Sequence, residues 1–216
     1  MLRGEYKMKR ILFQGDSITD SARFKESESS ENYKGHGYAS LVTAELGFDY
    51  PGEYEFFNRG ISGNRIVDLY SRIKEDILNL KPDVLSILIG VNDVWHEFEF
   101  QKGTSTEKFE KIYDLIIEEV KENLPDTRII ILEPFVLKTP EREENWEAFR
   151  KDVEEKAAAS KRIAEKHSLE FIPLMNKFDE AEKLVNASYW LFDGVHPTPM
   201  GHEIIKREWI KKFKRD

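Results

Sequence analysis

Apolar residues occur along the chain in two alternating patterns. Short runs of mainly apolar residues lie at 9–13, 54–57, 84–89, 128–132 and 169–172, and a glycine, asparagine or proline follows each run within two residues. A run that is apolar at successive positions is typical of a strand covered on both faces. The sequence therefore predicts five buried strands, each of which ends in a turn.

The stretches between these runs have the period of an amphipathic helix. From 64 to 80, for example, apolar residues recur at Ile66, Leu69, Ile73 and Ile77, and this spacing places them on one helical face. The same reasoning predicts helices at 37–46, 108–123, 143–167, 176–185 and 199–213. Because parallel strands need crossover connections, the alternation predicts a parallel sheet with helices on both faces.

The length and the lack of repeats favour a single domain. A single hydrophobic core grows to roughly 250 residues before chains tend to divide, and this chain has 216 residues. We expect one domain over 1–216, with residues 1–7 as an N-terminal extension. The polar, serine-rich stretch from 21 to 34 predicts a surface loop.

Composition argues against several classes of function. A net charge of -8 disfavours binding to a nucleic-acid backbone. The chain has no cysteine, so it can form neither a disulfide nor a thiolate nucleophile. No histidine pair has the helical spacing of a zinc motif, and we expect no metal site.

The first residues of the sequence do not have the pattern of a membrane-targeting segment. Its apolar run is shorter than the about 7–15 residues of a signal peptide and the about 20 residues of a membrane span. We therefore expect a cytoplasmic protein that does not bind membranes.

Small polar residues follow three of the predicted strands. Ser17 comes after the first strand, Gly60 after the second and Asn92 after the third. In open α/β sheets, ligands bind beyond the carboxyl ends of the strands. These residues should therefore meet at one edge of the sheet, where Asp193 and His196, which follow the fifth strand, can also reach them.

These residue types suit acyl transfer. A serine hydroxyl is a weak nucleophile, and a histidine with a free pKa of about 6.5 can accept its proton near neutral pH. A carboxylate can then orient the imidazole and stabilise its charged form. Two residues separate Asp193 from His196, so a short turn can bring the carboxylate to the ring. We predict Ser17 as the nucleophile, His196 as the base and Asp193 as its partner.

An acyl transfer also needs donors for the oxygen that becomes negative in the tetrahedral intermediate. Ser17 at a helix start has a free backbone N–H, Gly60 can present another because it lacks a side chain, and Asn92 can donate from its amide. Two tryptophans are candidates for substrate contact. Trp95 and Trp190 are either core residues or the walls of a sugar-binding site.

Four short blocks in this order resemble the SGNH, or GDSL-like, hydrolase superfamily. They are Gly15-Asp16-Ser17, Asn58-Arg59-Gly60, Gly90-Val91-Asn92-Asp93 and Asp193-Gly194-Val195-His196-Pro197. The resemblance implies a three-layer α/β/α sandwich with a five-stranded parallel sheet, of the flavodoxin-like kind. It also implies the roles given above to the serine, histidine, aspartate, glycine and asparagine.

A closer resemblance connects the sequence with the intracellular acetylxylan esterases of that superfamily. It is carried by Asn58 to Asn64, by Gly90 to Trp95 and by Gly201-His202 after His196-Pro197. It implies a cytoplasmic serine esterase without a cofactor that deacetylates sugars or xylo-oligosaccharides and forms a homo-oligomer. Two alternatives stay open, a lysophospholipase or thioesterase acting on longer acyl chains, and a carbohydrate-binding protein without turnover.

Overall fold

The computed structural model describes residues 7–26 and 32–214 and confirms the predicted alternation of strands and helices. The strands are β1 (Lys9–Gly15), β2 (Tyr54–Asn58), β3 (Val84–Leu88), β4 (Arg128–Leu132) and β5 (Glu170–Ile172). The helices are α1 (Ser17–Asp20), α2 (Tyr38–Asp49), α3 (Ile66–Ser71), α4 (Val91–Phe100), α5 (Thr106–Asn123), α6 (Trp146–Lys166), α7 (Met175–Glu182), α8 (Ala187–Trp190) and α9 (Pro199–Phe213). A 3₁₀ turn lies at Pro140–Arg142, before α6.

All five strands are parallel, and they lie in the order β2-β1-β3-β4-β5. The chain therefore runs from β1 to one side of the sheet and then crosses back to the other. In a doubly wound sheet, a ligand-binding crevice forms where the order of successive strands reverses. In this order of strands, the reversal lies beside the carboxyl end of β1. Ser17 lies at this position, because only Asp16 separates it from the end of β1.

Two hydrophobic cores cover the two faces of the sheet. On β4, Ile130 belongs to one core and Ile131 to the other, as expected for a strand buried on both faces. Helices α2 and α9 supply the first core, in which the Trp209 Nε1–H donates a hydrogen bond to Ser86 Oγ at 2.9 Å. Helices α3 and α5 supply the second core. The three-layer α/β/α prediction is confirmed.

Two local predictions need correction. The helix predicted at 64–80 is wrong in part, because α3 is followed by a wider π-helical turn at Lys74–Leu78, in which the Asn79 N–H donates to the Lys74 carbonyl oxygen. Helix α4 was not predicted, because Gly90, Asn92 and Asp93 have the composition of a turn.

Two further predictions concern segments that the structure describes only in part. The extension at 1–7 lies outside the described residues except for its last position, and the loop at 21–34 includes residues 27–31, which also lie outside them. None of the described helices is long and apolar enough to cross a membrane.

Candidate active site

Ser17 is the first residue of α1, in a turn that has no room for a side chain at position 15. A Cβ on Gly15 would lie 2.3 Å from the Leu88 carbonyl oxygen on the adjacent strand. Asp16 caps α1, since its Oδ1 accepts a hydrogen bond from the Ile18 N–H at 3.0 Å. The Ser17 N–H has no acceptor among the described residues, so it can donate to a ligand at the helix start.

Distant parts of the chain meet at Ser17. Its Oγ lies 2.8 Å from His196 Nε2, and His196 Nδ1 lies 2.7 Å from Asp193 Oδ2. Both distances are those of hydrogen bonds. The other oxygen of Asp193 accepts from the His196 N–H at 2.8 Å and from the Val195 N–H at 3.0 Å. This arrangement can move a proton from the serine hydroxyl to the imidazole.

The Asp193 carboxylate is held in its charged form. Burial alone would raise its pKa, but the hydrogen bonds from the ring and backbone of His196 outweigh burial, and the pKa is lowered from its usual value. A charged carboxylate at Nδ1 favours the tautomer with its proton on Nδ1. Nε2 then faces Ser17 as the acceptor.

His196 lies on the loop at 191–197, which we call the acid–base loop. Two aromatic rings contact its imidazole. Phe192 stacks on the His196 ring at a centroid distance of 5.5 Å and an angle of 18°, and it is 56% exposed. The Trp95 ring lies 5.6 Å from the same ring, between centroids. Trp95 therefore lies beside the candidate site. The sequence reasoning missed Phe192, although its place directly before Asp193 was an available signal.

Trp190 has its contacts elsewhere. Its Nε1–H donates to the Val185 carbonyl oxygen at 3.2 Å, and its ring packs against the first hydrophobic core. It also lines two apolar cavities, of about 410 and 290 Å³, between α7, α8 and α9, and neither Ser17 nor His196 lines them. For Trp190, these contacts favour the core alternative over a wall of the sugar-binding site.

Asn92 presents its amide from the first turn of α4. It is 6% exposed, and its Nδ2 donates a hydrogen bond to the Asn64 carbonyl oxygen at 3.1 Å. An amide nitrogen carries two hydrogens, so one bond fixes the side chain and the second hydrogen can donate to a ligand. This geometry agrees with the role predicted for Asn92.

The prediction for Gly60 disagrees with the geometry. Its N–H donates to Asn58 Oδ1 at 2.9 Å, so this donor is already used. A Cβ on Gly60 would lie 2.3 Å from the backbone nitrogen of Asp20, which shows that the glycine is needed for close packing against α1. In this arrangement Gly60 is a structural glycine and not a free donor.

Another glycine in the same segment, Gly63, has a free backbone N–H. It has a φ of 83°, and a Cβ there would meet nothing within 4 Å. Its neighbours are fixed, because Ser62 donates to Asp20 Oδ2 from N–H and Oγ and the Asn64 carbonyl oxygen accepts from Asn92. Among the described residues the Gly63 N–H has no acceptor, so it is available beside the Asn92 amide.

Three buried titratable groups, Asp16, Asp93 and His202, lie near the candidate site. Burial raises the pKa of Asp16 to about 7 and that of Asp93 to about 7. Burial, with a smaller effect from nearby His196, lowers the pKa of His202 to about 4. His202 Nδ1 accepts a hydrogen bond from the Tyr38 N–H at 3.1 Å, which needs the unprotonated nitrogen.

One group of side chains in the described residues has the spacing of metal ligands. Ligand atoms of Asp114, Glu118 and His167 lie within 4.8 Å of one another, between α5 and the end of α6. His167 and Lys166 each contact an oxygen of Asp114, at 2.6 and 2.5 Å. These contacts account for Asp114 and His167 as members of a polar network that joins α5 to the end of α6.

Comparisons with known proteins agree with the fold and indicate ester hydrolysis. Residues 13–204 match the GDSL-like Lipase/Acylhydrolase family. An acetylxylan esterase from Geobacillus stearothermophilus is 32% identical over 210 residues, which are 94% of this chain and 93% of that protein.

Solved structures are similar over nearly the whole chain. A GDSL-like protein from Parabacteroides merdae is 36% identical with a TM-score of 0.87, over 97% of this chain and 98% of that one. A crystal structure of the Geobacillus stearothermophilus acetylxylan esterase is 31% identical with a TM-score of 0.86, over 96% of this chain and 95% of that one.

Proposed function

The chain belongs to the GDSL-like Lipase/Acylhydrolase family and is a carboxylic ester hydrolase, and from that premise we propose that it is a serine esterase that deacetylates sugars or xylo-oligosaccharides. One observation carries the proposal. The side chains of Ser17, His196 and Asp193 form a continuous hydrogen-bonded chain, with links of 2.8 and 2.7 Å.

In the first half of the reaction, Ser17 Oγ attacks the acetyl carbonyl carbon while His196 Nε2 accepts the hydroxyl proton. The carbonyl oxygen becomes negative, and Asp193 stabilises the imidazolium. The intermediate then collapses. The bond to the sugar oxygen breaks, and His196 returns the proton to that oxygen, so the sugar leaves as an alcohol.

In the second half, water takes the place of the sugar. Water attacks the acetyl carbonyl carbon on Ser17 while His196 accepts a proton from the water. The second tetrahedral intermediate then releases the serine oxygen. His196 then returns the proton to Ser17. The products are the free enzyme and acetic acid, which gives up its proton to solvent as acetate. His196 carries each proton that is transferred within the site.

The proposed donors to the oxyanion are the Ser17 N–H, the Asn92 amide and the Gly63 N–H, which takes the place first predicted for Gly60. The support is that each has a hydrogen without an acceptor among the described residues. A phosphonate bound covalently to Ser17 tests this choice. Its oxygen should lie about 3 Å from the Gly63 nitrogen; the same distance to the Gly60 nitrogen would restore the earlier assignment.

A short acyl group is favoured over a long one. The two apolar cavities beside α9 have no contact with Ser17 or His196, so they provide no channel for an acyl chain at the nucleophile. The similar protein from Geobacillus stearothermophilus is described as an acetylxylan esterase. Exposed Phe192, stacked on the base, offers an aromatic face of the kind that sugars contact.

A substrate panel tests the proposed function. Ester hydrolysis is measured with acetylated xylo-oligosaccharides, p-nitrophenyl acetate and p-nitrophenyl octanoate, for the wild type and for Ser17→Ala. We expect hydrolysis of the acetyl esters and loss of it in Ser17→Ala. Ser71→Ala, which changes an exposed serine on α3, is the matched control.

Each alternative has its own result in this panel. Faster release of octanoate than of acetate would favour a lysophospholipase or thioesterase. Sugar binding by the wild type without hydrolysis of any ester would favour the carbohydrate-binding alternative. Full activity in Ser17→Ala would remove the proposed mechanism.

We also propose that the chain forms a homo-oligomer through the apolar face of α7, α8 and α9. Leu184 is 79% exposed on this face and Tyr189 is 42% exposed. Glu203 and Arg207 lie at its border and pair with each other at 2.8 Å. The exposed apolar side chains between them and α7 can pack against the same patch of a second copy. Leu184→Glu should lower the mass measured by light scattering; a monomeric wild type would end this proposal.

The single domain and the cytoplasmic location remain predictions from the sequence. One cooperative unfolding transition, seen by two different probes, would support the first. Fractionation of the cells that make the protein would test the second.

A further inference from the structure

The segment that follows β4 contacts the acid–base loop at its middle. The Leu137 N–H donates a hydrogen bond to the Gly194 carbonyl oxygen at 3.0 Å. Gly194 has a φ of 85°, and a Cβ there would lie 2.6 Å from the Leu137 carbonyl oxygen and 2.8 Å from Cγ of Arg142. The loop that carries the acid and the base is therefore held at Gly194 by neighbours that leave no space for a side chain.

The guanidinium of Arg142 extends from this contact to the ring of Trp95, a neighbour of the imidazole. Its guanidinium carbon lies 3.5 Å from the centroid of the Trp95 ring, and that ring lies 5.6 Å from the His196 ring. Stacking of a planar guanidinium on tryptophan is an attractive contact. One side chain thus joins the acid–base loop to α4, which carries Asn92.

The charge of Arg142 is poorly paired for a side chain that is only 14% exposed. Its Nη1 lies 3.4 Å from Glu99 Oε1, a long contact, and its Nε is buried without a hydrogen-bond partner among the described residues. Burying a charged donor without a partner has a cost in stability. The ion pair with Glu99 is long, and the guanidinium lies closer to the ring of Trp95, at 3.5 Å, than to that of Phe149, at 5.2 Å.

We propose that Arg142 is a positioning residue for the esterase reaction, which holds the imidazole of His196 within reach of Ser17 by fixing Gly194 and Trp95. It touches none of the reacting atoms. The inference rests on the proposed function, because it concerns the base assigned there. It predicts that loss of the guanidinium displaces the imidazole and slows turnover.

Three variants test the proposal with p-nitrophenyl acetate. Arg142→Ala should lower kcat by about tenfold or more, since small misplacements of catalytic groups have effects of that size, and should change KM by less than about twofold. Arg142→Gln keeps the stem against Gly194 and removes the guanidinium from Trp95, so it should lower kcat less than Arg142→Ala does but still below the wild-type value. Arg162→Ala, at an exposed arginine paired with Glu110, is the matched control and should keep wild-type kcat.

Chemical rescue separates positioning from a merely structural role. Guanidinium chloride at about tens of millimolar should restore several-fold activity to Arg142→Ala, because the free ion can stack on Trp95, and should not activate the wild type or Arg162→Ala. The rate at which an organophosphate labels Ser17 should fall in Arg142→Ala and recover with the same ion.

Two results would overturn the proposal. One is wild-type kcat in both Arg142→Ala and Arg142→Gln. The other is a loss of kcat that guanidinium does not restore in either variant. Failure of the proposed function would give a different result. In that case Ser17→Ala would still hydrolyse p-nitrophenyl acetate.

Discussion

The two sides of the nucleophile are built in different ways. On the oxyanion side, hydrogen bonds fix the backbone: Asn58 Nδ2 donates to the Thr19 carbonyl oxygen at 2.7 Å, and Asp93 accepts from the Ile66 N–H at 3.0 Å. On the other side, the backbone of the acid–base loop is also hydrogen-bonded, through Leu137 and Asp193. The partly exposed imidazole itself, however, contacts the faces of two aromatic rings.

The difference follows from what each side does in the reaction. Donors stabilise a negative oxygen best when they need no rearrangement, so a fixed backbone suits them. The imidazole has to exchange a proton first with Ser17 and then with the leaving oxygen. Contacts through ring faces hold it nearby and allow the small movement that these transfers need.

The largest expected effect comes from removing the base. His196→Ala should lower kcat by roughly 10⁴-fold or more, whereas Asp193→Asn should leave more activity, because the aspartate only orients and stabilises the imidazole. Ester hydrolysis is measured for both variants. His36→Ala, at an exposed histidine, is the control, and equal rates in wild type and His196→Ala would contradict the acid–base side as described.

Removal of the amide donor tests the oxyanion side. Asn92→Asp keeps the shape of the side chain and removes its donors, and we expect kcat to fall by about 10²–10³-fold, as for one lost oxyanion donor. The measurement is kcat with p-nitrophenyl acetate, together with thermal unfolding. Asn123→Asp on α5 is the control. A variant that keeps wild-type kcat would show that Asn92 is only structural.

His202, beneath the acid–base side, should make the protein sensitive to acid. Its pKa is lowered from 6.5 to about 4 in the folded state, so its contribution to stability is fully present above about pH 6.5 and is lost as the pH falls towards 4. The loss should be on the order of 3 kcal/mol. Urea unfolding at pH 7 and pH 4 should show a smaller decrease in His202→Asn than in the wild type, and equal decreases would rule out this titration.

Asp16, beneath the nucleophile, should act in the opposite direction. Its pKa is raised from 3.8 to about 7 by burial, so the stability it contributes is full below pH 3.8 and is lost as the pH rises towards 7. Asp16→Asn keeps a cap for α1. Urea unfolding should show that this variant gains stability relative to wild type from pH 5 to pH 8; the reverse trend would be incompatible with a buried, proton-binding Asp16.

The smallest expected effect is a difference in the free energy of unfolding between two glycine variants on the oxyanion side. Gly60→Ala places a Cβ 2.3 Å from the Asp20 nitrogen, and overpacking of this kind costs about 1–3 kcal/mol. Gly63→Ala meets open space but has a φ of 83°, and the left-handed conformation costs about 1–2 kcal/mol. Urea unfolding compares them, and a larger loss for Gly63→Ala would argue against the packing described for Gly60.

Much of the fold could be predicted from local pattern. Apolar runs and helical spacing indicated the five strands and most helices, and polar residues after the strands located Ser17, Asn92 and the acid–base pair. These signals are local in the chain, or depend only on the geometry of parallel sheets.

The remaining features depend on packing between distant segments. Gly60 packs against Asp20, which is far from it in the sequence, and in that arrangement its N–H donates to Asn58. The residues at 62–64 have the composition of another turn, but the composition does not show which N–H is left without an acceptor. The contact of Arg142 with Trp95 joins two helical segments that are far apart in the sequence. No local pattern indicates which arginine in a polar stretch fills such a place.

The 179 positions that separate Ser17 from His196 in the chain have a consequence for synthesis. The nucleophile leaves the ribosome with the first strand, and its base follows only after all five strands, shortly before α9. A growing chain therefore carries a serine without a proton acceptor, and esters in its surroundings are safe from it until the base has been made.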